Sequence, residues 1–206
     1  MLNEIRMKGE DFSILAAADA RIARAVAAER CPHCSGPLHQ GNFHRKPRGG
    51  VQAEAGEAFT LRHSLCCGRR GCRKRVLPPS LRFLGRRVYL EMVVLLASVQ
   101  AQILGATKVA RAATGVPEWT LRRWLSWWRA VLPQQGWWSE LRARFVPPPP
   151  DEKDLPRSLI KQIESDSRTS DRDALWLCAR CLAPGTTGLR DAARFVRDVA
   201  AEFVAE

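Results

Sequence analysis

The chain has 206 residues, of which 46 % are apolar, a length that suits one medium domain or two small ones and a share sufficient for packed cores. Its formal net charge of +12 is unevenly placed: residues 30–90 carry 13 Lys or Arg against 2 acids, and residues 91–150 carry 7 against 3. A field this concentrated favours a polyanion, and no apolar run is long enough for a membrane: the longest, at 88–99, is interrupted by Glu91.

The first 29 residues place acids before an apolar stretch that Asp19, Arg21 and Arg24 interrupt, so they do not read as a secretory signal. Ser13 is positioned to cap a helix over 14–29, with Ile14, Leu15, Ala18, Ile22, Ala25 and Val26 at helical spacing. Residues 32–76 show no helical period. Short pieces around Phe43 and over 58–65, where Phe59, Leu61, His63 and Leu65 alternate, predict two or three short strands. After Pro78 and Pro79, Ser80 begins a predicted helix over 81–104, with a buried stripe of Leu84, Val88, Met92, Leu95, Val99 and Ile103.

Gly105 stops that helix, and Thr107 caps a short one to Thr114. Gly115-Val116-Pro117 makes a turn into a third helix, from Glu118 to Leu132, which Pro133 ends. Trp137, Trp138, Leu141 and Phe145 predict one more helix. Four prolines at 147–150 read as a linker, followed by helices over 158–164, 171–182 and 189–205. The expected fold is mainly α, with a small zinc-ribbon-like β module, a helix-turn-helix bundle and a helical C-terminal segment. Its expected divisions are 1–30, 31–77, 78–146, 147–157 and 158–206.

Five of the seven cysteines fall in two tight groups, Cys31-Pro-His-Cys34 and Cys66-Cys67-Gly-Arg-Arg-Gly-Cys72. Two close pairs brought together by a hairpin supply the tetrahedral sulfur set that Zn2+ prefers. The expected ligands are Cys31, Cys34, Cys67 and Cys72, because the glycines between Cys67 and Cys72 permit a tight turn. Cys66, His33, His39, His44 and His63 stand as alternates. The zinc-deaminase pattern of His-x-Glu with Pro-Cys-x-x-Cys is absent, and Glu54 and Glu57 are the only acids nearby, so a metal here is expected to serve folding. Cys178 and Cys181 lie three apart on one helix face and read as core.

In the segment 107–132, Val109, Ala112 and Ala113 are expected to pack on Leu121, Trp124, Leu125 and Trp128, with Val116 filling the turn. The exposed side of the last helix would then present Glu118, Arg122, Arg123, Ser126 and Arg129, with Trp119 and Thr120 near its start, while Lys108 and Arg111 reach phosphate. A second basic surface comprises Arg45, Lys46, Arg48, Arg69, Arg70, Arg73, Lys74 and Arg75, followed by Arg82, Arg86 and Arg87.

Over roughly residues 31–131, the parts CPHC, CCGRRGC and TKVARAATGVPEWTLRRW resemble, at the level of modules, the zinc-ribbon plus helix-turn-helix DNA-binding regions of transposase-like proteins from bacterial mobile elements. Such transposases continue into an RNase-H-like catalytic domain with separated acids, for which the roughly 55 residues after the prolines leave no room. The resemblance therefore implies a DNA-binding accessory or regulator without its own cutting centre. The expectation is a non-enzymatic, zinc-stabilised double-stranded-DNA-binding protein of the cytoplasm and nucleoid, acting alone, as a homodimer or with a recombination or transcription partner. A structural adaptor, an RNA-binding protein and a transposase or nuclease component are the alternatives.

Overall fold

The computed structural model describes residues 9–45, 60–84, 89–145, 149–165 and 171–196. They are mainly helical and divide into two compact units, Glu91–Cys181 and Met7–Leu90 with Leu182–Glu206. None of the described helices is long and apolar enough to cross a membrane.

The first unit in chain order begins with α1 (Gly9–Ala28). Its buried stripe is Phe12, Leu15, Ala18, Ile22 and Val26, at a helical period, but of the stripe expected Ile14 is half-buried and Ala25 exposed, and the helix starts before Ser13, which lies exposed inside it. Among the described residues five very short strands follow: β1 (Leu38–Gln40), β2 (Phe43–His44), β3 (Leu61–Arg62), β4 (Leu65–Cys67) and β5 (Arg75–Val76). They form an antiparallel sheet in the order β1-β4-β5 and a separate β2-β3 pair. The register Leu38↔Cys67 and Leu65↔Val76 brings the two cysteine groups side by side. Strands of two or three residues bury little, and Leu65 and Val76 are the apolar core of this sheet.

A buried polar node fastens α1 to the chain after β5. Asp19 Oδ1 accepts the Leu81 N–H at 2.6 Å, and its Oδ2 accepts the Ser80 hydroxyl at 2.6 Å and Arg82 Nε at 2.9 Å. Arg82 Nη2 donates onward to the Leu61 carbonyl, and Arg62 Nη2 donates to that of Pro78. Thr186 Oγ1 accepts the Ser80 N–H, which ties in the C-terminal piece. A carboxylate and two guanidinium groups this deeply buried are tolerable only because each is bonded.

That node corrects the expectation of a helix over 81–104. Ser80 does accept the N–H groups of Arg82 and Phe83, as a cap would, but the backbone turns and Phe83 pairs with Leu90 as an isolated bridge. The helix, α2 (Glu91–Ile103), starts ten residues later than its apolar pattern suggested. Leu81, Phe83, Leu84 and Leu90 are buried, but in the first unit, so their spacing mimicked a helical stripe. Val88 lies outside the described residues.

In the second unit α2 packs against α3 (Thr107–Thr114) and α4 (Glu118–Ser126), which also pack on each other. Gly115, with φ +67°, ends α3 in the left-handed conformation, and its N–H donates to the Arg111 carbonyl. Val116 fills the turn, as expected. The packing face of α3 differs from expectation: Ala110 is buried, whereas Val109, Ala112 and Ala113 are exposed. α4 buries Thr120, Leu121 and Trp124, then widens into a π-type stretch, Trp127–Val131, that buries Trp128. The Trp128 indole N–H donates to Ser98 Oγ on α2 at 3.0 Å, so this large core side chain is hydrogen-bonded as well as packed.

α5 (Gly136–Arg142), α6 (Arg157–Glu164) and α7 (Asp171–Leu182) complete the unit. Residues 149–157, read as linker, are instead part of it. Pro150, Leu155 and Pro156 are buried, Gln102 on α2 donates to the Leu155 carbonyl, and the Trp138 indole donates to Glu152. The apolar Leu155 supplies the burial that a proline count cannot reveal. Beyond α7 the chain returns to the first unit, where Ala192, Phe195 and Val196 are buried; the expected helix beyond 196, and Pro147 and Pro148, lie outside the described residues.

Candidate metal centre

Two turns carry the four thiols. In the first, the N–H of Ser35 donates to the Cys31 carbonyl at 2.8 Å, and the N–H of Cys31 to the Gly36 carbonyl at 2.9 Å. In the second, the N–H groups of Cys72 and Arg73 donate to the Arg69 carbonyl at 3.0 and 3.2 Å. The residue after each second cysteine is left-handed, Ser35 at φ 57° and Arg73 at φ 48°, although neither is glycine. Each turn therefore stores backbone strain that the paired strands and the thiol cluster hold in place.

The glycines have a different task from the one the sequence suggested. A Cβ on Gly36 would stand 3.0 Å from Cys67 Sγ, and one on Gly68 only 2.4 Å from His39 Nε2. Gly36 allows close approach between the two turns and Gly68 lets His39 on β1 lie against the second, while Gly71 faces open space. The left-handed position falls on Arg73.

Cys31, Cys34, Cys67 and Cys72 place their sulfurs within 4.8 Å of one another. The Cys31–Cys72 separation is 3.8 Å and the Cys34–Cys67 separation 3.4 Å, too long for disulfides. A tetrahedron with metal–sulfur distances of about 2.3 Å has edges of about 3.8 Å, so the cluster has the dimensions of a four-thiolate metal site. Its proton chemistry points the same way. Gly36 N–H, chiefly, together with the facing thiols lowers Cys34 to about 7. Arg69 N–H pulls Cys67 down, but burial and the neighbouring thiols push it up to about 12. Hydrogen bonds favour the Cys34 thiolate and burial disfavours that of Cys67; a cation among the four sulfurs would favour both thiolates. Four protein sulfurs leave no position for water or substrate, which is the donor set of a structural centre.

The expected ligand set is thus brought together, and the alternates are not part of it. Alternation along β4 turns Cys66 away from Cys67, with its Sγ 3.5 Å from the Arg73 carbonyl. His33 is exposed, and His39 lies against Gly68. His44 Nδ1 is bonded to Thr60 Oγ1 at 2.8 Å, and His63 is half-buried with its pKa pushed down by burial. Cys178 is buried with its pKa raised by that burial, and burial also pushes half-buried Cys181 up to about 11, as suits unreactive core thiols.

Around the second turn Arg69, Arg70, Arg73, Lys74 and Arg75 are all exposed. Arg45 is half-buried, its guanidinium 5.5 Å from the Phe83 ring centroid and its pKa lowered by burial. Lys46, Arg48, Arg86 and Arg87 lie outside the described residues. Arg82, expected on a basic surface, is instead buried on Asp19. Asp19 itself was read only as an interruption of an apolar stretch, yet its place between Leu15 and Ile22 on the buried stripe is the signal that marks it as an interior group.

Comparison of the chain with protein-family models, curated proteins and solved structures finds no significant match.

In the helical unit Lys108 and Arg111 are exposed on α3, and Arg122, Arg123, Ser126 and Arg129 are exposed on α4 and its continuation. Thr120 is not available: it is buried, and its N–H donates to the Pro117 carbonyl. Glu118 accepts Arg122 Nη2 at 2.6 Å and the Thr107 hydroxyl at 3.1 Å, and these two bonds, Arg122 first, hold its carboxyl below the usual range. Arg123 lies over the exposed Trp119 ring, 5.0 Å from its centroid.

Proposed function

We propose that the protein is a zinc-stabilised double-stranded-DNA-binding protein of the nucleoid, an accessory or regulatory factor of a mobile element or recombination system. The observation that carries this reading is the division of α4 and its continuation: Leu121, Trp124 and Trp128 are buried on one side, and Arg122, Arg123, Ser126 and Arg129 are exposed on the other. A basic helix braced by a shorter one across a tight turn is the geometry with which helix-turn-helix proteins enter a major groove. The exposed arginines of the second cysteine turn supply an independent grip on phosphate. Zinc is the proposed metal because four thiolates in a tetrahedral set suit a borderline-soft divalent ion, and Cys31, Cys34, Cys67 and Cys72 would hold it.

One experiment tests the DNA reading: selection of bound duplexes from a random library by metal-loaded protein at physiological salt. An enriched motif that disappears in the Arg123→Ala, Arg129→Ala double variant supports the reading. Recovery of duplex without a motif, unchanged in that variant, overturns the assignment of α4. The exposed apolar side chains Ile103, Leu104 and Val109, at the junction of α2 and α3, favour a second reading as an adaptor that docks on a partner protein. That reading predicts binding to such a partner that is lost in Val109→Ser and indifferent to naked DNA.

A further inference from the structure

The middle of α4 contains two adjacent arginines in different situations, Arg122 and Arg123. Arg122 is committed within the protein: Nη2 is 2.6 Å from Glu118 Oε1, and Nε is 3.4 Å from Thr107 Oγ1 at the start of α3. The triad Thr107–Glu118–Arg122 ties the two helices together at their N-terminal ends. Arg123 is placed otherwise. Its guanidinium lies 5.0 Å from the centroid of the Trp119 ring, one helical turn back on the same face.

Trp119 is 64 % exposed, more so than Ile103, Leu104, Val109 or Val131, the other large apolar side chains that stand out from the described surface. An indole left this open loses the burial that usually justifies its size, unless a partner covers it. The side chain packed on it, Arg123, is cationic, and the adjacent Glu118 is neutralised by Arg122, so a polyanion is the complementary occupant. The N-terminal residues of the second helix in a helix-turn-helix are those that meet base edges. Among base edges in the major groove, the apolar group is the thymine C5-methyl, and the edge that matches a guanidinium fork is guanine O6 and N7. The 5.0 Å between ring and guanidinium exceeds one base-pair rise of about 3.4 Å and falls short of two, so the pair spans neighbouring base pairs.

We propose that Trp119 and Arg123 form one preassembled reader of a thymine beside a guanine in duplex DNA. Trp119 covers the thymine methyl, Arg123 bonds the guanine edge, and the cation–π contact fixes the two relative to each other before DNA arrives. Arg122 is a positioning residue that orients α4 on α3. The inference rests on the duplex-binding reading above and deepens it with two named bases.

The test uses the full chain, metal-loaded, with duplexes carrying the selected motif. Replacing each thymine by deoxyuridine removes only the methyl, and replacing each guanine by 7-deazaguanine removes only N7. At one thymine the wild type is expected to weaken by about fourfold, the worth of one buried methyl group, and at an adjacent guanine by about fivefold or more. Trp119→Ala should bind the thymine and deoxyuridine duplexes equally while still discriminating 7-deazaguanine. Arg123→Ala should show the converse, and Arg122→Ala should retain both discriminations. Because Trp119 and Arg123 are exposed, these variants keep the fold, which circular dichroism checks. A motif without adjacent thymine and guanine overturns the inference and leaves duplex binding standing. So does discrimination that Trp119→Ala leaves unchanged. Preference for single strands, on which an exposed indole would stack, or failure to bind any duplex overturns both readings.

Discussion

The two units reach stability by different physical means. The unit containing the cysteine turns has strands of two or three residues and a buried set rich in polar groups: Asp19, Arg62, Ser64, Ser80, Arg82 and Thr186. The helical unit buries whole tryptophans, Trp124, Trp128 and Trp138, beneath helices long enough to offer an apolar face. Directional bonds and a thiol cluster, added to the apolar face of α1, specify the first, and non-directional burial of large area supports the second. Where strands are too short to build a core, position is fixed by pairing buried polar groups with particular partners, as Asp19 with Ser80 and Arg82. Loss of a single partner is then severe.

Metal removal is the largest expected break in that contrast. Binding of zinc to four-ligand sites contributes about 10–16 kcal/mol to small domains, so chelation should remove hydrogen-exchange protection from β1, β4 and β5. Protection of α2 and α4 should persist, because their burial owes nothing to the thiols; its simultaneous loss would show that the contrast is wrong. One step smaller is the comparison of Asp19→Ala with Trp128→Ala. The first takes the carboxylate away from the buried Arg82 guanidinium, and the second leaves a large cavity and removes the indole donor to Ser98, whose hydroxyl still donates to the Val94 carbonyl. Each is expected to destabilise its own unit by about 3–5 kcal/mol, seen as lost exchange protection in that unit and not the other.

The smallest effect is at Glu118. Its pKa is held below the usual 4.5 by the bond from Arg122 and then by that from Thr107. A depressed carboxylate contributes its stabilisation above the ordinary carboxyl value and loses it as pH falls through the lowered one. An acid titration followed by NMR should therefore show Glu118 titrating below 4.5, with Arg122 and Thr107 resonances moving together. In Arg122→Ala the titration should return toward the ordinary value. A Glu118 that titrates normally in the wild type would separate α3 from α4 at this end and weaken the case for Arg122 as a positioning residue.

Much of the helical unit is legible along the chain because its signals are local. Gly115 marks the end of α3, Val116 and Pro117 mark the turn, and the spacing of Leu121, Trp124 and Trp128 marks the buried side of the next helix. The face of α3 was less legible, since Val109 is the more hydrophobic residue and Ala110 the buried one. Close packing between helices selects small side chains, a criterion that hydrophobicity alone does not contain.

The sequence alone determined the two cysteine groups, the mainly α class and the order of α3, turn and α4, because cysteine spacing, apolar period and glycine placement act over a few residues. Tertiary structure decided that Cys67 and not Cys66 enters the cluster with Cys72, since strand register turns one of two adjacent side chains inward. It also placed Arg82 inside on Asp19, delayed α2 to Glu91, and joined residues 149–157 to the helical unit. In each case a residue far along the chain supplied the missing partner: a carboxylate for a guanidinium, or an apolar surface for Leu155. No local pattern carries the identity of such a partner, because the energy of a buried charge depends on what the fold brings beside it.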